Sequence, residues 1–325
     1  MKLLYITSGY SKIYRYLDQS IQRTLIDQNF ECLAVQPFEL IEQLDFITAT
    51  FHPDIVFTLL GNHLPQKAIH YFKKRNIKLA VWLTEDPFYI DTSLLLINNF
   101  DIIFTVDSEA LKYYTDLGYS NVYHLPLATN IDIFKPSLKN PKYKSEILFV
   151  GYPYPLRVKL MQFLFEKTPY YYTIIGQHWR TKLLKKWKNH QRIKIIEEWI
   201  PPQEVALYYT NASLILNPHR SHLFPQNKNK NKVKNNTINN RTFDIAACQG
   251  FQIIEEKSDL SFFFNKDEII SYNSFEDCLN KIYLYSDCTT EKRLMIEKIY
   301  TKVITQHTFH ERIHSITTIL QSHLQ

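Results

Sequence analysis

Short β-branched and aromatic runs alternate along the chain with stretches whose apolar residues recur every three or four positions. In the first half the runs are "KLLYIT" (2–7), "ECLAVQ" (31–36), "DIVFTLL" (54–60), "KLAVWLT" (78–84), "DIIFTV" (101–106) and "NVYHLPL" (121–127). Between the first two, Ile13, Leu17, Ile21 and Leu25 fall on one face of a helix. "SEALKYYTDLGY" (108–119) places Ser108 to cap a helix and Gly118 to end it. The second half repeats the scheme with "EILFVG" (146–151), "YYTIIG" (171–176), "IKIIEEW" (193–199), "SLILNP" (213–218), "FQIIEE" (251–256) and "EIISY" (268–272). Helices are predicted near 155–166, 178–189, 202–212, 240–249 and 274–287, and the stretch from about 290 is helical as well.

Strands that are near-continuously apolar, each separated from the next by a helix, need cover on both faces, and this predicts parallel sheets. The series runs twice, broken by the polar, proline-punctuated "FKPSLKNPKYKSE" (134–146). The expected fold is α/β, with two tandem Rossmann-like domains at 1–138 and 139–305. A last helical piece, 306–325, is expected to pack back across the join.

Composition narrows the class without naming a function. A length of 325 residues suits two domains, and 45% hydrophobic with 22% charged residues is ordinary for a globular protein. A net charge of +6 permits an anionic ligand but is sparse for a dedicated nucleic-acid binder. Cys32, Cys248, Cys278 and Cys288 are scattered, with no metal-ligand spacing, and are expected as small buried residues of a reducing compartment. "MKLLYITSGY" reads as a strand and turn rather than a signal peptide, and no apolar run approaches a membrane span, so a cytoplasmic location is expected. In that location the sequons at Asn211 and Asn235 carry little weight. Glycines number only six, and Gly9, Gly61, Gly151 and Gly176 each follow a strand's carboxyl end, where open α/β sheets bind ligands. Gly9 and Gly151 are read as ligand-facing; Gly61 and Gly176 are read equally as tight turns.

The densest chemistry lies in "NNRTFDIAACQGFQII" (239–254). Asn239 or Asn240 can cap a helix whose first amides then point outward, making an anion site at the positive end of the dipole. Arg241 adds a guanidinium fork suited to phosphate, and Asp244, one turn in, can accept hydrogen bonds from a diol such as ribose. The same spacing also suits a solvated arginine and an aspartate that merely favours the helix dipole.

"LNPHR" (216–220) followed by "NNRTFDIAACQGFQ" (239–252) resembles the CgeB-like spore-maturation family, a branch of the GT-B glycosyltransferases. "EILFVGYPYPLR" (146–157), "WLTEDPFYID" (82–91), "DIIFTVDSEALKYYTDLGY" (101–119), "LPLATNIDIFKP" (126–136) and "HTFHER" (307–312) extend the resemblance over most of the chain. Departures are Asp244 where the family has glutamate, Gln249 before Gly250 where it has glycine, and a longer, lysine-rich loop at 221–238. The displaced glycine suggests a helix that ends one residue later.

The resemblance implies the GT-B fold, two Rossmann-like domains facing across a cleft, and transfer of a sugar from a nucleotide-diphosphate sugar, a UDP-sugar first, to a glycan or protein acceptor. GT-B enzymes generally use no bound metal, so protein donors would stabilise the leaving diphosphate. The donor-binding residues it implies are Gly151, Arg157, His219, Arg220, Asn240, Arg241, Thr242, Phe243 and Asp244. On the acceptor side, Asp86 and then Glu85 are candidates for the base that deprotonates the incoming hydroxyl, although Asp86 before Pro87 also suits a turn. Phe88 and Tyr89 are candidates to stack on a sugar, while Trp82 is read as core and His124 as structural.

"NKNKNKVKNN" (227–236) lacks the aromatics of a single-strand platform and is expected to be a mobile, solvated loop, able to fold over an anionic donor, rather than a nucleic-acid site. A non-catalytic GT-B protein of spore-coat or surface assembly is the alternative to an active transferase.

Overall fold

Two parallel sheets grow from the apolar runs. The structure, a computed structural model, describes residues 1–287 and 289–324. In the first half, β1 (Lys2–Ile6), α1 (Ile13–Asp27), β2 (Glu31–Val35), α2 (Leu40–Thr50), β3 (Ile55–Leu59), α3 (Gln66–Lys74), β4 (Lys78–Leu83), α4 (Ile90–Leu96), β5 (Ile102–Thr105), α5 (Ser108–Asp116) and β6 (Val122–His124) follow one another. The strands order as β2-β1-β3-β4-β5-β6, every pair parallel. All five residues of β3 and all four of β5 are buried, as a sheet covered on both faces requires. Leu17, Ile21 and Leu25 of α1 are buried, but Ile13, the expected fourth member of the stripe, is 41% exposed. Asp107, not Ser108, caps α5, its carboxylate accepting from the amides of Glu109 and Ala110; Gly118 follows the helix with positive φ.

The second half contributes β7 (Ser145–Val150), α6 (Pro155–Lys167), β8 (Tyr172–Ile175), α7 (Trp179–Lys182), α8 (Lys185–Lys188), β9 (Ile193–Ile196), α9 (Pro202–Asn211), β10 (Ala212–Asn217), α10 (Arg241–Ala247), β11 (Gln252–Glu255), α11 (Leu260–Phe263), β12 (Ile270–Tyr272), α12 (Phe275–Leu284), α13 (Thr290–Gln306) and α14 (Phe309–Ser322). Here the order is β12-β11-β10-β7-β8-β9. Each sheet thus reverses its direction of growth once, between β1 and β3 in the first and between β7 and β10 in the second. Open α/β sheets bind ligands beyond the strand carboxyl ends at such switch points.

Two compact units result. One comprises Met1–Leu127, Pro225–Thr237 and the chain from Phe309; the other comprises Ala128–Phe224 and Ile238–Thr308. The segment at 134–146 that the sequence marks as a join lies in the second unit because Phe134 and Tyr143 are buried in its core. The C-terminal α14 belongs to the first unit, where Trp82 packs edge-on against Phe309 and donates its indole N–H to the Leu125 carbonyl.

The lysine–asparagine loop is docked, which corrects the expectation of a mobile one. Val233 inserts into the first unit's core, Lys228 exchanges backbone hydrogen bonds with Phe88 and Asp91, and the Asp107 carboxylate accepts from the amides of Asn236 and Thr237 and the side chain of Asn235. Two buried or half-buried acids and one apolar anchor outweigh the solvation of the lysines. His124 meets Thr237 there, in a structural contact. Cys248 and Cys278 are buried, Cys32 is half-exposed, and Cys288 lies outside the described residues. Among the described residues no helix is long and apolar enough to cross a membrane.

Candidate functional site

At the switch point of the second sheet the loop after β7 and the loop after β10 are stapled together by arginines. Arg157 lies in the first turn of α6, with only 6% of its surface exposed; its Nε donates to the His219 carbonyl at 3.3 Å and its Nη1 to the Tyr152 carbonyl at 3.2 Å. Arg241, from the start of α10, donates Nη1 to the Val150 carbonyl and Nη2 to the Pro218 carbonyl at 3.4 Å. Both guanidiniums lie 5.7 Å from the Phe149 ring. Between them sits Gly151, at φ +151°, where an added Cβ would be 2.4 Å from Arg241 Nη1 and 3.2 Å from Arg157 Nη1. The glycine is required on two counts, backbone conformation and close approach.

These two cations have only carbonyls for company. Among the described residues neither Arg157 nor Arg241 forms an ion pair with a carboxylate. Two acids act on them at longer range: Glu255, which accepts the His219 amide at 2.7 Å, on Arg157, and Asp244 on Arg241. Burial, and then the charge of Arg241, pushes the Arg157 guanidinium down to about 9; burial lowers Arg241 as well. A desolvated cation left without a bonded counter-ion costs several kcal/mol.

Further polar groups lie close by. His219 is buried, and its Nε2 accepts the Asn239 amide at 3.2 Å, which places its proton on Nδ1. That Nδ1 is buried with no hydrogen-bond partner among the described residues. Burial, then the charges of Lys257, Arg241 and Arg157, hold the ring's pKa well below the usual histidine value, so it stays neutral. Asp244 is buried, accepts from the Asn240 side chain at 3.1 Å, and lies beside the Thr129 hydroxyl, which has no partner at bonding distance. Burial raises the Asp244 carboxyl to about 8. Arg220 is half-buried with its guanidinium 4.9 Å from the Tyr154 ring and 6.0 Å from that of Phe224.

The start of α10 differs in detail from expectation. Asn239 is the cap, its Oδ1 accepting the Thr242 amide at 3.2 Å, while Asn240 is already helical. Thr242's amide is therefore taken up, and only those of Asn240 and Arg241 have no acceptor among the described residues. Thr242 and Phe243, expected at the donor, face inward. The Thr242 hydroxyl joins a buried network with Asn217 and Asn239, and Phe243 is fully buried, stacked on His307 at 4.9 Å. The helix also stops early, not late: Gln249 takes the positive-φ position after Cys248, and Gly250 is needed for space, since a Cβ there would be 2.7 Å from Ile215 Cδ1.

In the first unit, Asp86 is 2% exposed and both of its oxygens are occupied: Ser93 donates to Oδ1 at 2.7 Å, and Thr105 and Tyr114 donate to Oδ2 at 2.9 Å each. Burial still raises its carboxyl to about 6. With both oxygens bonded from within, Asp86 ties β5, α4 and α5 together. Glu85 is half-buried and accepts the Tyr14 phenol. Tyr89 is 37% exposed and Phe88 half-buried, whereas Trp82 is core. Thr129, Tyr154 and Asn217 were not singled out from sequence; each lies inside or beside a quoted block, but nothing in spacing distinguishes it from its neighbours.

The glycosyl transferase-like family model matches residues 157–318. The spore protein CgeB of Bacillus subtilis (strain 168) is 37% identical over 311 residues, 96% of each chain. The chain belongs to the CgeB family. This CgeB-family protein also shares the two-sheet GT-B architecture of solved glycosyltransferases. Sucrose-phosphate synthase of Thermosynechococcus elongatus superposes with a TM-score of 0.71 at 10% identity, covering 99% of both chains. Anabaena HepE, solved in complex with UDP and glucose, gives 0.69 at 12% identity, covering 99% of this chain and 100% of its own.

Proposed function

We propose that this CgeB-family protein transfers a sugar from a nucleoside diphosphate sugar, a UDP-sugar in the first instance, to a hydroxyl of a glycan or protein acceptor at a spore or cell surface. The observation that carries the reading is the pair of guanidiniums, Arg157 and Arg241, without a carboxylate partner at the switch point of the second sheet. HepE's complex with UDP and glucose supports the choice of nucleotide.

In this reading the diphosphate lies against Arg157, Arg241 and the amides of Asn240 and Arg241, with the His219 Nδ1–H donating to a phosphate or sugar oxygen. Arg220 borders the sugar end and Asp244, with Thr129, takes the ribose hydroxyls. As the bond from the anomeric carbon to the diphosphate breaks, negative charge grows on the leaving oxygen. Donors already fixed in a dry site stabilise that charge without reorganising. No step of this scheme is routed through a metal.

The test is a thermal titration followed by product analysis. UDP at about 100 times its Kd stabilises the protein by about 2.7 kcal/mol, a rise of roughly 5–10 °C. Gly151→Ala abolishes that rise, because its methyl displaces Arg241 Nη1. Release of UDP from a UDP-sugar, with a glycosylated product, separates the transferase from a non-catalytic assembly protein, which the sequestered Asp86 would also suit. Absence of a shift with every nucleotide tried would reject the reading.

A further inference from the structure

The donor reading uses only the carboxyl end of the second sheet. At the opposite, amino end of β7, β10 and β11 a cavity of about 520 Å³ opens within the second unit. Ser145 pairs with Ala212 at that end, whereas Arg157 and Arg241 bond to carbonyls past the other ends of the same strands. The six residues of β10, rising about 3.3 Å each, keep the two places roughly 15–20 Å apart.

The cavity wall is basic. Lys139, Lys144 and Lys292 line it, and among the described residues no carboxylate does. Lys292 is 4% exposed and held in place: its Nζ donates to the Tyr285 carbonyl at 2.9 Å and stands 4.7 Å from the centre of the Phe251 ring. It lies in the first turn of α13, the end at which the helix dipole is already positive, so its charge gains from an anion set before it. Lys139 is anchored through the Thr210 carbonyl. Asn140 fixes the loop that carries Lys139 and Lys144, its amide donating to Asn211 Oδ1 at 2.6 Å and its Oδ1 accepting the Lys142 amide at 3.0 Å. Gln249 adds an independent sign. It takes the left-handed position after α10, at φ +55°, where glycine would be unstrained and a glutamine is not. Its carboxamide lines the cavity and has no hydrogen-bond partner among the described residues. Strain of this kind tends to persist where a site needs the side chain.

We propose that this cavity is a second ligand site, separate from the donor site, and that it takes a hexose monophosphate. The ammonium groups of Lys139, Lys144 and Lys292 gather on the phosphate, as point charges do. Asn140, Ser213 and Gln249 offer carboxamides and a hydroxyl to the hydroxyls of the sugar. A nucleotide fits the wall less well. Its one aromatic side chain, Phe251, is buried and packed by Lys292 and Tyr285, which leaves no platform for a base. The volume is within the range of small-molecule pockets. This proposal stands independently of the donor reading.

Isothermal titration of the whole chain tests it, with a panel of hexose monophosphates, the parent hexoses and inorganic phosphate, each with and without excess UDP. A hexose monophosphate is expected to bind at least about tenfold more tightly than either of its parts, and excess UDP leaves that binding in place. Lys139→Gln combined with Lys144→Gln weakens it about tenfold without lowering the melting temperature, because both side chains are exposed. Gln249→Gly melts higher than the wild type, since glycine relaxes the left-handed turn, yet binds about threefold more weakly. That opposition of stability and affinity is not expected of a residue with a structural role alone. No binding of any hexose monophosphate, unchanged binding by the lysine double variant, displacement by UDP, or inorganic phosphate binding as tightly as the sugar phosphate each overturns the proposal and leaves the donor reading standing.

Discussion

Arg241→Met is expected to bind UDP at least about thirtyfold more weakly than the wild type, with the unliganded protein melting within a few degrees of it. The two effects come apart for a physical reason. Methionine keeps an apolar stem over Phe149 but removes the charge and its fork. Losing a charged partner for a desolvated phosphate costs about 2–5 kcal/mol of affinity, and 1.4 kcal/mol is a factor of about ten. In the unliganded protein the losses and gains oppose each other. The Val150 and Pro218 carbonyls lose a donor, while Arg157 loses the like charge that helps depress it. An ordinary structural arginine would behave differently, losing stability first and affinity only as a consequence. Isothermal titration with UDP, paired with a melt of each protein, reads both quantities.

Asp244→Asn is expected to make the unliganded protein more stable at neutral pH while weakening UDP and sparing inorganic pyrophosphate. Burial lifts the Asp244 carboxyl from the usual carboxylate range to about 8 in the folded protein, whereas an unfolded aspartate titrates at about 3.9. Between those values the unfolded state has already lost the proton that the folded state keeps. Stability therefore falls as pH rises from about 4 to about 8, by at most about 1.4 kcal/mol per pH unit, and is level on either side. The asparagine variant lacks this component, so its advantage over the wild type grows across that window to a few kcal/mol near pH 7. The wild type carries the cost because a diol needs an acceptor there. The variant keeps Arg157 and Arg241, so pyrophosphate affinity stays within about threefold, and UDP affinity drops about tenfold, the upper worth of one net hydrogen bond. Melts between pH 4 and pH 9, with titrations of both ligands at pH 7.5, measure all of this. Equal losses for UDP and pyrophosphate would place Asp244 at the phosphates instead of the ribose.

The two tandem sheets were legible because burial on both faces leaves a signal that alternation cannot hide: runs such as 55–59 and 102–105 are apolar but for one threonine each. Helices α2 and α3 were harder, since each buries only three positions, Leu40, Leu44 and Ile47 in one and Ala68, Ile69 and Phe72 in the other. Motif reading found Arg157, Arg241, His219 and Asp244 as a set, but not their energetics. A guanidinium in the first turn of a helix reads the same whether it is solvated or buried, and the lack of a counter-ion is a property of three-dimensional neighbours. The partners of Asp86 were hidden for the same reason. The sequence showed a carboxylate after a strand, while Ser93, Thr105 and Tyr114 come from three other places to claim it.

The central claim is that the paired guanidiniums at the second sheet's switch point are a seat for two linked phosphates. A crystal structure of the protein grown with UDP tests it most directly. The account predicts diphosphate oxygens within about 3.2 Å of both Arg157 and Arg241, with the ribose hydroxyls on Asp244. UDP bound with its phosphates away from these two arginines, or the arginines still closed on their carbonyls with the nucleotide elsewhere, would contradict it.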